Sequence, residues 1–366
     1  MAILGVAGIL VLVAVVAYLV VRDDGPKPVP STSSLSLEQL IGQRLATGYI
    51  GTTPPKSILD AVRQGKVGGV EITANNALTP TDARNAIEKL RDAARSGDQP
   101  PLFYFINQEG GPVKRFPFLP PDRSAVEIGD SNDVKSVAKR EGTETGRALR
   151  RVGFNVNLAP VVDVPGTAES FLGTRGFSMN PRIVATAGCA FAEGLQARGV
   201  AAVFKRFPGL GQSSIDTDRG VVEVTATKRR LLSDLAPYRR CPRTPDMVLF
   251  SNASYSALGI DTPSALSPKT YDLLQATGFR GLKLGDAFET PALIAIPNAP
   301  LRALRAGLDI VMFGQAEPMA VQAHADLLES ATSGELNLSE LRRDAEAILR
   351  LKRQLSADGA TLSSTP

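Results

Sequence analysis

Apolar and polar positions along the chain fall into blocks whose period changes from one block to the next. Short, nearly continuous apolar runs predict eight strands: Leu45 to Ile50, Val67 to Thr73, Leu102 to Ile106, Phe154 to Val162, Val200 to Phe204, Met247 to Ser251, Leu282 to Leu284 and Asp309 to Phe313. Between them, apolar residues recur every three or four positions and predict helices at Lys56 to Gln64, Pro80 to Ser96, Val134 to Arg151, Pro181 to Arg198, Lys228 to Leu235, Pro268 to Ala276 and Leu301 to Ala306. A helix from Leu37 to Arg44 opens the series behind a Ser36 cap, and two helices close it, the second from Ser339 to Gln354. Strands of such continuous apolar character are buried on both faces, as in a parallel sheet. Eight strand-helix units over residues 36–355 predict an α/β fold, a single-domain (β/α)8 TIM-type barrel. An open doubly wound sheet is the alternative. It would place a Gly-rich phosphate loop after its first strand, and Gly51-Thr52-Thr53-Pro54 is not one.

In such a barrel the chemistry gathers at the C-terminal ends of the strands. Asn107, Asp163, Lys205, Arg206, Asn252 and Asp286 all fall there. The densest stretch is Lys205-Arg206-Phe207-Pro208-Gly209-Leu210-Gly211, which runs on to Asp216-Thr217-Asp218. Two cations stand where a buried strand ends, and two carboxylates follow at i and i+2 in the loop after a Pro-Gly-x-Gly turn. Taken alone, these residues also fit a solvated loop with a tight turn.

The N-terminus differs from the rest. Residues 2–21 carry no charge, and Arg22-Asp23-Asp24 ends the run. That length suits a membrane-spanning helix, which needs roughly 20 apolar residues. A cleaved signal would show a basic start, a shorter apolar core and a small-residue cleavage site. Residues 1–22 are therefore expected to be an uncleaved transmembrane anchor, with 23–35 a Pro/Ser-rich tether. The barrel is expected outside the cytoplasm, and 356–366 as a disordered tail.

Composition narrows the function. A chain of 366 residues with 43% hydrophobic and 21% charged positions is globular. The net charge is +4, with no basic stripe interleaved with aromatics, which argues against nucleic acid as a partner. The single histidine, His324, lies in a helical stretch and argues against a His-based metal site or a Ser-His-Asp triad. Cys189 and Cys241 lack metal-ligand spacing and are too few for a disulfide framework. Whether they pair stays open. No cofactor or metal is expected, and the protein is expected to be a monomer.

Several segments together carry a resemblance. They are Gln108-Glu109-Gly110-Gly111-Pro112-Val113-Lys114-Arg115-Phe116, Asn157-Leu158-Ala159-Pro160-Val161-Val162-Asp163-Val164, Arg175-Gly176-Phe177-Ser178-Met179-Asn180-Pro181, and Ala306-Gly307-Leu308-Asp309-Ile310-Val311-Met312. In order and spacing they resemble the family-three glycoside hydrolases, close to the single-domain bacterial β-N-acetylglucosaminidases. The stretch from Lys205 resembles the family signature Lys-His-Phe-Pro-Gly-His-Gly, followed by Asp-Ser-His. Arg206, Leu210 and Asp218 stand where that signature has histidines. Asn252 stands in place of another, and Asn107 in place of a sugar-binding Asp.

The resemblance implies a retaining hydrolase of β-linked (N-acetyl)glucosaminyl sugars, with Asp286 as the nucleophile. The Asp216-Asp218 pair takes the place of the relatives' Asp-His pair as the source of the proton. Two adjacent carboxylates resist both being ionised, so one is expected to be held as an acid. Asn107, Asp163, Arg175, Lys205, Arg206 and Asn252 are the implied sugar contacts, and carbohydrate such as peptidoglycan fragments is the implied partner. Arg206 could grip an acidic sugar, or it could neutralise Asp286 or Asp163. The alternative function is a catalytically inactive sugar-binding or scaffold protein of the same fold.

Overall fold

The computed structural model describes residues 29–363. The expected anchor at residues 1–22 lies outside them, as do residues 23–28 of the expected tether. Among the described residues no helix is long and apolar enough to cross a membrane.

Eight parallel strands form the centre: β1 Leu45–Thr47, β2 Gly69–Glu71, β3 Phe103–Ile106, β4 Val156–Asn157, β5 Ala201–Phe207, β6 Met247–Phe250, β7 Leu282–Gly285 and β8 Val311–Phe313. In the sheet β8 pairs with β1, and each following strand lies beside the one before it. The gap between β7 and β8 is joined by a single parallel bridge, Leu284 to Ile310. The result is an α/β fold around a nearly closed parallel barrel.

Alternation along the strands splits the apolar residues into two cores. Phe103, Phe105, Ala201, Val203, Leu282 and Leu284 face the barrel axis. Tyr104, Ile106, Ala202 and Phe204 face the helices outside. The last helix closes the bottom of the barrel, where its Ile348, Leu351 and Leu355 join the axial core.

Local signals explain where the helices begin. Ser36 and Gln39 form a capping box at Leu37–Gly42. Thr79 and Asp82 form another at Pro80–Ser96, which also has Pro at its first position. His324 is 4% exposed and its Nε2 lies 3.0 Å from the Glu38 carbonyl, so it is packed between elements.

Three expectations are revised. The fourth strand, expected from Phe154 to Val162, is only Val156–Asn157. Pro160 has no N–H to give to a ladder, and beyond it Val161 makes an isolated bridge to Lys205. The last helix, Leu338–Ser363, continues past Gln354 into the segment expected to be a disordered tail. Residues 29–35 are docked: Arg342 and Arg353 donate to the Thr32 and Pro30 carbonyls, and Leu35 packs with Leu40, Ala345 and Leu349.

The structure also joins Cys189 to Cys241 in a disulfide, with Cα atoms 6.1 Å apart. It ties the helix Pro181–Gln196 to the end of the short helix Ala236–Arg240.

Candidate active site

A cavity of ≈ 590 Å³ opens at the C-terminal ends of the strands. Strand alternation dictates which side chains enter it. Phe105, Val203 and Leu284 face the axis, and the residues two further on, Asn107, Lys205 and Asp286, line the cavity. Glu71 follows the same rule after Gly69, where an added Cβ would meet the Phe105 ring at 2.6 Å. On β5 the rule breaks usefully. The pairing register with β6 shifts between Lys205 and Phe207, as at a bulge. Lys205 and Arg206 therefore both reach the cavity, while Phe207 joins the outer core.

The charges form two paired groups. In the first, Glu109 accepts from Arg175 Nε at 2.8 Å and Nη2 at 3.0 Å, and faces Lys205 Nζ at 2.6 Å. Burial alone would raise the Glu109 carboxyl. Lys205 and Arg175 outweigh it and hold the group at about 2. Burial shifts Lys205 downward, against the pull of Glu109. Lys205 Nζ also donates to Asn107 Oδ1 at 2.6 Å, and Asn107 Nδ2 donates to Glu71 Oε1 at 2.7 Å.

In the second group, Arg206 Nε donates to Asp286 Oδ2 at 3.2 Å, and Nη1 lies 3.5 Å from Asp163 Oδ2. Burial opposes the charge on Arg206, but Asp286 and Asp163 raise its pKa further and keep it ionised. Arg206 is thus held by two carboxylates of the protein. The two guanidiniums of Arg175 and Arg206 lie 5.9 and 5.8 Å from the Phe171 ring centroid.

The loop after β5 brings Asp216 and Asp218 to the same cavity. It is pinned to the barrel by Leu210 N, which donates to Asp163 Oδ1 at 2.7 Å, and by Gln212 Nε2, which donates to Asp234 Oδ2 at 2.7 Å. Gly211 runs so close to the segment after β4 that an added Cβ would meet the Val164 carbonyl oxygen at 2.2 Å. Asp216 Oδ2 lies 3.5 Å from Arg175 Nη1. Asp218 is exposed at the cavity mouth. Its carboxyl is pushed up to about 6, first by partial desolvation against the wall and then by the charges of Asp286 and Asp216. Because the residue is exposed, the desolvation is limited and the two carboxylates matter correspondingly more.

Of the residues singled out in the sequence, Asn107, Arg175, Lys205, Arg206, Asp216, Asp218 and Asp286 meet at the cavity. Asp163 and Asn252 do not line it; each is 1% exposed and lies behind the wall. Asp163 holds Leu210 N and faces Arg206. Asn252 Nδ2 donates to the Ala287 carbonyl and to Thr290 Oγ1, both at 2.9 Å, and so supports the turn that follows Asp286.

Three further carboxylates bear on the site: Glu71, Glu109 and Glu289. Glu289 Oε1 accepts from Gly314 N at 2.7 Å, and its Oε2 is buried without a hydrogen-bond partner. Glu71 was legible in principle, since it sits two residues past an axial position. Glu109 lies in a short antiparallel strand outside the barrel, Gln108–Gly110, and Glu289 beyond the end of β7, where alternation along the barrel strands says nothing. Among the described residues no cluster of His, Cys, Asp and Glu is arranged to hold a metal ion.

Comparison with known proteins fits this architecture. The sequence model of the family described as "Glycosyl hydrolase family 3 N terminal domain" matches residues 36–351. An uncharacterized secreted glycosyl hydrolase of Arthroderma benhamiae is 31% identical, over 88% of this chain and 95% of its own. Beta-hexosaminidase LpqI of Mycobacterium tuberculosis is 28% identical, over 89% and 85% respectively. The solved structure of M. tuberculosis LpqI superposes with a TM-score of 0.79 at 27% identity, covering 89% of this chain and 98% of that one. A family 3 β-N-acetylglucosaminidase from Paenibacillus superposes with a TM-score of 0.83 at 26% identity. The match covers 89% of this chain but 64% of the Paenibacillus chain, slightly under two thirds.

Proposed function

The chain belongs to glycosyl hydrolase family 3, and from that membership we propose that it hydrolyses β-linked N-acetylglucosaminyl-type sugars with retention of configuration. Asp286 is the nucleophile, and Asp218, with Asp216 beside it, supplies the proton. The observation that carries this reading is the contrast between two carboxylates of one cavity. Asp286 is fixed at a strand end with its Oδ2 3.2 Å from Arg206 Nε. Asp218 reaches the same cavity from a loop and is pushed up to about 6. One ionised and one protonated carboxyl are what retaining hydrolysis requires. In the first step Asp286 attacks the anomeric carbon while Asp218 protonates the leaving oxygen. In the second, Asp218 takes a proton from water as the water oxygen attacks the anomeric carbon and the bond to Asp286 breaks.

The test is turnover of an aryl β-N-acetylglucosaminide and an aryl β-glucoside by the full chain. Release from the N-acetyl substrate, abolished by Asp286→Asn, is the expected result. Unchanged activity in Asp286→Asn would remove Asp286 as the nucleophile. A second reading, sugar binding without cleavage, is favoured by the same ion pair, because a guanidinium held against Asp286 Oδ2 weakens it as a nucleophile. Sugar binding without turnover of either substrate would select that reading.

We also propose placement at a membrane through residues 1–22, with the barrel outside the cytoplasm and envelope glycans as substrates. The Cys189–Cys241 disulfide supports that side, since such bonds persist in oxidising compartments. Extraction of the full chain from membranes by detergent and not by high salt is expected. Release by salt would argue against the anchor.

A further inference from the structure

We propose that Glu71 is a specificity-determining residue whose carboxyl binds a hydroxyl of the sugar held in this cavity, in the position that sequence alone gives to Asn107. The inference rests on the sugar-binding reading above and does not depend on cleavage.

Both polar ends of Asn107 are already engaged. Its Nδ2 donates to Glu71 and its Oδ1 accepts from Lys205 Nζ. A carboxamide can do both at once, whereas a carboxylate here would face Glu71 as a like charge. Asn107 therefore acts as a bridge that positions Glu71 and Lys205, and it has little left to offer a ligand.

Glu71 has the opposite character. It lies at the end of β2 on the axial face, lines the cavity and is 7% exposed. Among the described residues the one hydrogen bond of its side chain is that from Asn107 to Oε1. Its Oε2 has no such bond, and it does not belong to the fully buried, unpartnered atoms. That oxygen is open to the cavity. Burial shifts Glu71 upward, and Arg115 is the first charge to pull it back. Arg115, half-buried, lines the same cavity. A hydroxyl is both donor and acceptor, so one held in this cavity can donate to Glu71 Oε2 and still accept from a donor of the wall. A buried carboxyl with one arm unmatched gains from such a ligand more than an exposed one would.

The experiment is calorimetric titration of the full chain with N-acetylglucosamine and its 3-, 4- and 6-deoxy analogues, for wild type and Glu71→Gln. The glutamine can still accept from Asn107, so the wall stays intact. Wild type should bind one deoxy analogue about tenfold more weakly than the parent sugar. Glu71→Gln should bind the parent about tenfold more weakly, yet lose nothing further with that same analogue. This non-additivity is a readout that a structural role for Glu71 would not move. Glu71→Asp, which draws the carboxylate back by one methylene, should show the same insensitivity if the glutamine variant does not fold. Affinity for the parent within twofold of wild type in the variant would overturn the proposal. So would undiminished discrimination among the deoxy sugars, or no binding of N-acetylglucosamine by wild type. Absent turnover with intact binding would sink the hydrolase reading alone.

Discussion

In the proposed mechanism, Asp218 is the residue on which the chemistry of the site turns. As the proton donor it must be protonated, so the rate on a poor leaving group should fall as pH rises through about 6. Asp218→Asn should lower that rate by about 10²–10⁴-fold and remove the fall, as read from a pH profile with an alkyl glycoside. An unchanged rate would exclude Asp218 as the acid. Stability has its own sign. The folded carboxyl lies above its ordinary 3.8, so its contribution is lost as pH rises toward about 6, and Asp218→Asn should gain on wild type across that window. Glu109 has the reverse sign. Held at about 2 against an ordinary 4.5, it adds stability above about 4.5 that is lost as pH falls toward 2. Glu109→Gln would leave Lys205 and Arg175 without their carboxylate in a buried site. It should cost about 3–5 kcal/mol in denaturant unfolding at neutral pH. A loss under about 1 kcal/mol would show that the two cations find other partners or water.

Among the elements, β5 and the loop after it do most to assemble the site. The bulge at Lys205–Phe207 turns two successive cations into the cavity. Gly211, close against the Val164 carbonyl, lets the loop return over the segment after β4 and bring Asp216 and Asp218 to the cavity. The disulfide lies elsewhere, between the helices Pro181–Gln196 and Ala236–Arg240, and neither cysteine lines the cavity. It closes a loop with a sequence separation of 52, for which the chain-entropy argument gives about 4 kcal/mol. The double variant Cys189→Ser, Cys241→Ser should therefore lose about 2–4 kcal/mol of stability with KM unchanged. A changed KM would mean that the crosslink also positions the β5 loop, which packs nearby through Gln212 and Asp234.

For the molecule as a whole, stability and function occupy opposite ends of the barrel. The cavity is at the C-terminal ends of the strands, while Ile348 of the last helix closes the other end with no exposed surface. Ile348→Ala should cost about 2–5 kcal/mol in denaturant unfolding and leave sugar affinity as it was. Altered affinity at a temperature where the variant is fully folded would show that the two ends are coupled.

The barrel itself was legible in the chain. Eight continuous apolar runs separated by amphipathic helices leave few alternatives, because a parallel strand must be buried on both faces and each crossover needs a helix. Helix starts were legible where a cap marks them, as at Ser36 and Thr79. Alternation from an axial residue also places Asn107, Lys205 and Asp286 at the cavity. Tertiary structure decided the rest, because those outcomes depend on chain segments far apart in sequence. Only packing against Asn107 gives Glu71 its role, and only the paired acids Asp163 and Asp286 show that Arg206 is already engaged. Asp163 and Asn252 carry the right chemistry at strand ends, but packing places them behind the wall, out of contact with the cavity. Spacing left Cys189 and Cys241 open, and the packing that brings their Cα atoms to 6.1 Å joined them. A sequence period sets which way a side chain points along one element, whereas which charge it meets is set by the neighbours that the closed barrel brings beside it.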